Sequence, residues 1–353
     1  MITEDDIKES HDKALYRSFD TIIIDEISMV RTDMLDSVDK FLRKNGRDQN
    51  KPFGGIQLIF FGDLFQLSPI AKKDELAYLK DNYGGVYFFH APAIKTVKPL
   101  TIQLQKVYRQ KDSNFIYILD SIRTGSHNQH ILNTLNERLN VAFKSATNLA
   151  ITLTPTNARA LLINKARLDA INSRQYIYKG FLEGEFPKDN LPTEMELPLK
   201  VGAQVMFVKN DMQKRWVNGT IGEVVYLAER SIKVRITANG GGTYEVLKEK
   251  WEIYEHKYDP ETKKIKINVI GSFSQIPLKL AWAITINKSQ GLTFDNVIID
   301  LDSGAFACGQ TYVALSRCRS LDGIILHKRV TDGDIRVDPE VVRYMENPYV
   351  ELR

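Results

Sequence analysis

The chain has 353 residues, 43% of them hydrophobic, a formal net charge of +4 and only two cysteines, Cys308 and Cys318. That length exceeds one ordinary domain and supports more than one core. The charge is compatible with a nucleic-acid partner without arguing for one, while two cysteines exclude both a disulfide framework and a four-thiolate metal site. No apolar run reaches the length of a bilayer and Met1 opens a polar, acidic stretch, so the sequence reads as a soluble, intracellular protein with no membrane partner.

Residues Met1 to Ser18 are charged and too few to form a domain. Thr21-Ile22-Ile23-Ile24 then reads as a strand buried on both faces of a parallel sheet, and it stops on two adjacent carboxylates, Asp25 and Glu26. Ligands of such sheets sit beyond the carboxyl ends of the strands. In a nucleotide hydrolase the Asp would hold magnesium and the Glu would polarise the attacking water; two solvated acids are the alternative. A helix is predicted over Thr32 to Lys44. After it, Gln57-Leu58-Ile59-Phe60-Phe61 makes a second strand ending in Gly62-Asp63, with Gln66 carrying a neutral donor suited to a terminal phosphate.

Asp25-Glu26-Ile27-Ser28-Met29, Pro52-Phe53-Gly54-Gly55-Ile56-Gln57 and Gly62-Asp63-Leu64-Phe65-Gln66-Leu67 together resemble the Pif/RecD-like branch of superfamily-one DNA helicases, over nearly the whole chain. The resemblance implies an α/β fold of two RecA-like lobes with an SH3-like β-barrel inserted in the second. It places the first, incomplete lobe at 1–98, the second at 99–198 and 277–345, and the barrel at 199–276. It implies ATP and magnesium as cofactors, single-stranded DNA and duplex junctions as partners, five-prime to three-prime polarity, a monomer, and service in DNA repair and recombination. A phosphate-cradling Gly-x-x-x-x-Gly-Lys-Ser/Thr loop belongs upstream of the Asp-Glu strand, and the residues before Thr21 leave no room for it. The chain is therefore expected to be the N-terminally truncated remainder of a motor. The alternative is a single-stranded DNA-binding module that kept the fold without turnover. Gly304-Ala305-Phe306-Ala307-Cys308-Gly309-Gln310-Thr311 has the glycine spacing but Gln310 where the lysine belongs, and reads as a decoy.

Tyr87-Phe88-Phe89-His90 is read as core, or as a base-stacking edge. In Tyr108-Arg109-Gln110 the resemblance makes Arg109 a sensor reaching for the γ-phosphate, against an ordinary surface arginine. A helix is predicted over Phe115 to Thr124. His127 and His130 lack partners at zinc-like spacing. Thr156 and Asn157, between a strand ending at Leu153 and a helix over Ala158 to Asp169, suit a helix cap and, by resemblance, DNA contact.

From Leu199 the composition turns to short β-rich runs, Val201–Val208, Thr220–Val225, Ile232–Ile236 and Thr243–Val246, with turns at Asn218-Gly219 and Gly240-Gly241-Gly242. Lys209, Lys214, Arg215 and Trp216 form a basic turn where Trp216 would stack on a base, or a solvated hairpin. By resemblance Thr285, Lys288, Ser289 and the amides near Gly291 hold DNA phosphates. Asn287 stands where the family usually has His. Tyr312-Val313-Ala314-Leu315-Ser316-Arg317 presents Arg317 as an arginine finger. The resemblance also puts Gly62, Asp63, Gly291 and Gln310 in the nucleotide-binding set.

Overall fold

The two predicted strands are Thr21–Ile24 and Gln57–Phe60, paired in parallel with Ile23 opposite Ile59. These observations come from a computed structural model that describes residues 7–142, 149–187, 191–229, 231–236, 241–259, 261–262, 264–302, 304–346 and 350–352. Helix Thr32–Asn45 follows the first strand, and its Leu35 and Leu42 join Phe53, Ile56 and the Tyr87, Phe88 and Phe89 rings in one core. The aromatic stretch is thus core. The strand predicted to be buried on both faces is not: burial alternates along both strands, and Ile23 is 62% exposed. Apolar side chains of this core cover one face of the two-stranded pair, while the other stays open.

Helix Pro339–Met345, assigned by the sequence to the second lobe, packs on this first core through Val341. Its Tyr344 ring stacks on Phe89 at 4.2 Å, and the Tyr87 hydroxyl donates to Asp338 at 2.7 Å. The end of the chain therefore ties the two lobes together.

The second lobe has a parallel sheet in the order Ala283–Thr285, Ile151–Thr154, Val297–Ile299, Ile324–Leu326. Helices Ser113–Thr124 and Gln310–Ser316 pack on it, burying Phe115, Ile118, Ile122, Val313 and Leu315 in a second core. The strand read as ending at Leu153 and the helices read over Phe115 to Thr124 and Ala158 to Asp169 hold to within a few residues.

The β-rich runs form a five-stranded antiparallel sheet ordered Gly242–Val246, Ile232–Ile236, Ile221–Leu227, Gln204–Phe207, Leu278–Leu280. Strict alternation of buried and exposed residues in Ile232–Ile236 shows one face packed on a core of Leu197, Phe207, Val224 and Val234. Its outer strands do not pair with each other among the described residues, and Gly240 lies outside them. The antiparallel unit is also wider than 199–276. Tyr176–Lys179 pairs with Glu196–Leu199, and a long hairpin, Glu249–Asp259 with Lys264–Gln275, pairs with Phe181–Gly184.

A candidate functional site at the junction of the lobes

Beyond Ile24 the chain has two residues in which to turn. The Phe61 amide donates to the Ile24 carbonyl and the Ile27 amide to the Phe61 carbonyl, both at 2.9 Å, so Asp25 and Glu26 sit in a tight bend at the strand end. Glu26 takes φ 51° and ψ 44°, a left-handed conformation that costs a side-chain-bearing residue about 1–2 kcal/mol. Strain of this kind persists where the surrounding structure over-determines the residue's conformation. Asp25 Oδ1 accepts from the Glu26 amide at 2.9 Å. Burial, and after it the neighbouring Asp25 charge, push the Glu26 carboxyl above its ordinary range, while Arg317 pulls it back. A general base needs that direction of shift.

Gly62 lies against this bend: a Cβ there would stand 3.1 Å from the Ile27 nitrogen. Asp63 Oδ1 accepts from the Phe65 amide at 3.1 Å, and Oδ2 from the Gln66 side chain at 3.3 Å. Gln66 Oε1 meets Gln290 Nε2 of the second lobe at 3.4 Å. Gly291, at φ +75°, faces open space.

The second lobe supplies the cations. Arg317 follows the Gln310–Ser316 helix and is 1% exposed. Its guanidinium donates to the Val313 carbonyl at 3.0 Å and the Ser316 hydroxyl at 2.8 Å, and no carboxylate pairs with it among the described residues. Burial, then the nearby Arg109 charge, bring its pKa down to about 10. Arg109 donates to the Ser316 carbonyl at 3.1 Å, and burial lowers its pKa also. The Glu26 charge acts on both arginines, which places the first-lobe carboxylate near the second-lobe cations.

Gln310 follows Gly309, which packs on the Gln66 backbone, and its side-chain Nε2 is buried with no hydrogen-bond partner among the described residues. It is 1% exposed, and its Oε1 accepts from the Phe306 amide of its own loop.

The DNA candidates divide. Thr156 caps helix Asn157–Asp169 by accepting from the Arg159 amide at 3.3 Å, and both Thr156 and Asn157 are exposed. Lys288 is exposed as well. Thr285 and Ser289 are 4% and 0% exposed, and their hydroxyls bond within the turn: Thr285 Oγ1 accepts from the Lys288 amide, and Ser289 Oγ donates to the Ile286 carbonyl. Trp216 must be corrected. It is 7% exposed, its ring stacked on Phe207 at 4.4 Å with the Arg215 guanidinium 4.5 Å over it, and it belongs to the core of the antiparallel unit. Arg215 is paired with Asp211 at 2.7 Å, and Lys209 with Glu249 at 3.0 Å, so this turn is less cationic than its composition suggests.

Three residues at the junction escaped the sequence reading. Arg123 and Tyr312 both reach Asp63 across the lobes. Gln110 donates to the Ser316 and Cys318 carbonyls at 3.1 and 2.9 Å, anchoring the Arg109 segment beside Arg317. The pairing of Arg109 with a following amide was the visible signal; nothing local marks Arg123. His127 contacts Asp332 at 2.8 Å, and no cluster of three metal-ligating side chains occurs among the described residues. Nor is any helix among them long and apolar enough to cross a membrane.

Residues 4–132 match the family model described as PIF1-like helicase. The human ATP-dependent DNA helicase PIF1 is 35% identical over 94% of this chain and 49% of its own length. ATP-dependent DNA helicase Pif1 of Bdellovibrio bacteriovorus is 32% identical over 96% of this chain and 73% of its own. The chain spans about half the length of the first curated relatives it matches. A crystal structure of Bacteroides sp. Pif1 in complex with ADP-AlF4 is similar at a TM-score of 0.85 and 36% identity, covering 97% of this chain and 79% of that one. Pif1 helicase from Bacteroides in complex with ADP-AlF3 and ssDNA is similar at 0.68 and 37% identity, over 98% and 77%. With a relative of this identity matched over almost three quarters of its length, the chain belongs to the PIF1-like helicase family.

Proposed function

We propose that this chain is the part of an ATP-dependent DNA helicase that carries the catalytic carboxylates and the arginines facing them, and that the protein containing it moves as a monomer on single-stranded DNA, five-prime to three-prime, and opens duplex junctions. One observation carries the reading: Arg317, buried and without a carboxylate partner among the described residues, lies beside a second arginine and across from a strained, pKa-raised glutamate. A buried cation of this kind is costly to the fold unless an anion visits it.

The donor set fits a magnesium nucleotide. Magnesium takes one or two protein carboxylates and completes its shell with phosphates and water. Asp25, with one oxygen held by the Glu26 amide, suits that role, and the arginines supply the remaining countercharge. Bound magnesium would neutralise charge on the β and γ phosphates. Glu26 accepts the proton of the attacking water, Gln66 orients the terminal phosphate, and Arg109 and Arg317 stabilise charge on the transferred phosphoryl, a contribution worth about a thousandfold or more in rate. Gly62, Asp63 and Gly291 shape the loops around the nucleotide. Because Gln66 and the arginines come from different lobes, lobe closure completes the site and opening releases it, which is the elementary step of a motor.

DNA is held by Thr156, Asn157, Lys288 and the backbone near Gly291, with backbone phosphates the principal contacts. The antiparallel unit is read as the SH3-like insertion. No Gly-x-x-x-x-Gly-Lys-Ser/Thr occurs in the sequence, so turnover requires a phosphate loop from outside it. That missing loop favours, for the isolated chain, the second reading of a DNA-binding module without turnover. DNA-stimulated ATP hydrolysis, measured in this chain and in a longer protein joining it to a phosphate-loop segment, separates the two. Activity in the longer protein that Glu26→Gln abolishes supports the motor; a longer protein that binds DNA without hydrolysing ATP overturns it.

A further inference from the structure

The strand-end loop Asp63–Gln66 is gripped from the second lobe at four points. Tyr312 donates its hydroxyl to Asp63 Oδ2 at 3.1 Å. Arg123 brings Nε and Nη2 to Asp63 Oδ1 at 3.4 Å and lays its guanidinium over the Phe65 ring at 4.4 Å. Gly309, at φ +73°, approaches so closely that a Cβ would stand 2.2 Å from the Gln66 carbonyl oxygen. Gln290 reaches the Gln66 side chain itself.

Asp63 is the hub of this contact. The carboxylate that receives Tyr312 and Arg123 also receives the Phe65 amide and the Gln66 side-chain amide. We propose that Tyr312 and Arg123 are positioning residues that act through Asp63, fixing the orientation of Gln66 only when the lobes are together. In this arrangement Gln66 is not a free sensor. Its direction is set by a carboxylate that the opposite lobe must hold, so lobe apposition and phosphate sensing become one event. Burial keeps the Tyr312 hydroxyl protonated throughout the working range, so it donates constantly. Arg123 supplies the charge-assisted, geometrically looser contact.

The inference rests on the nucleotide-site reading, so its test has an arm that needs no turnover. In the chain alone, hydrogen exchange at the Phe65 amide, which Asp63 holds, reports the loop directly. Tyr312→Phe removes one hydroxyl and keeps the ring. It should raise exchange at Phe65 about tenfold, leave exchange in the Thr32–Asn45 helix unchanged, and keep Tm within about 1 °C. In the longer protein carrying a phosphate loop, Tyr312→Phe should lower DNA-stimulated kcat at least tenfold with KM for ATP changed less than about twofold. Combining it with Asp63→Asn should cost no more than the larger single change, because both break the same link. Arg123→Gln should act in the same direction, and Arg123→Lys should restore part of the loss. Unchanged exchange at Phe65 in Tyr312→Phe would overturn the proposal whatever the activity shows. Additive losses in the double variant would overturn it as well. An unaltered longer protein without turnover would instead count against the nucleotide reading, and the exchange arm would still decide whether Tyr312 acts through Asp63.

Discussion

Arg109 and Arg317 converge on one residue: Arg109 donates to the carbonyl of Ser316 at 3.1 Å and Arg317 to its hydroxyl at 2.8 Å. Like charges are thereby held together inside the protein, and each lowers the other's benefit unless an anion intervenes. A polyanion should therefore stabilise the chain even without turnover. Pyrophosphate at about ten times its dissociation constant contributes about 1.4 kcal/mol by mass action, a Tm rise of about 2–4 °C. Arg317→Met should abolish most of that rise, as measured by thermal melts with and without pyrophosphate. An equal rise in the variant would place the anion elsewhere.

The Glu26 carboxyl is raised by burial and by Asp25, so the folded chain keeps this proton to higher pH than the unfolded chain does. Between the unfolded value near 4.5 and the raised folded value, stability falls as pH increases, because the folded state there binds more protons. Glu26→Gln stays neutral and escapes this loss. Its Tm advantage over the unaltered chain should be absent near about pH 4 and grow toward about pH 7; an advantage independent of pH would contradict the assignment.

The left-handed backbone at Glu26 carries its own expectation. Glu26→Gly should be more stable than Glu26→Ala by about 1 kcal/mol in urea unfolding, since only glycine takes that conformation without a Cβ clash. Equal stabilities would show that the bend relaxes.

Trp216 shows where sequence reading stops. A tryptophan beside Lys214 and Arg215 has the composition of a base-stacking turn, but the ring's neighbours, Phe207 and Tyr244, come from other strands that no local pattern reveals. Trp216→Ala should accordingly cost about 3–5 kcal/mol of stability through the cavity it leaves, measured by denaturant unfolding. A loss under about 1 kcal/mol with weakened DNA binding would restore the stacking role.

The motifs at strand ends were legible because each is local: Asp25-Glu26 and Gly62-Asp63 close apolar runs, and Arg317 closes a helix. By resemblance Thr285 and Ser289 read as phosphate contacts, yet both are buried and their hydroxyls bond within their own turn, which only the structure shows. Helix Pro339–Met345 lies on the first lobe because of Val341 and Tyr344, a contact spanning most of the chain. Residues whose partners lie across the lobe junction, Arg123 above all, carry no signal in their own neighbourhood.

Capping and DNA contact at Thr156 separate by substitution. Thr156→Asp keeps a good cap, so Tm should hold, while the added negative charge faces DNA phosphate and should weaken single-stranded DNA binding about tenfold. Lys288→Ala should weaken binding too and flatten the salt dependence by about 0.7 in log–log slope, one phosphate contact on a single strand. Titration of labelled oligonucleotide at several salt concentrations reads both. Unaltered affinity in both variants would move the DNA track off this face.

The most direct test of the cross-lobe site is DNA-stimulated ATP turnover in the longer protein, comparing the unaltered form with Arg317→Ala at saturating ATP. With Arg317 facing the transferred phosphoryl, kcat should fall about a thousandfold or more while single-stranded DNA affinity is retained. A variant that keeps kcat within about threefold of the unaltered protein would contradict it.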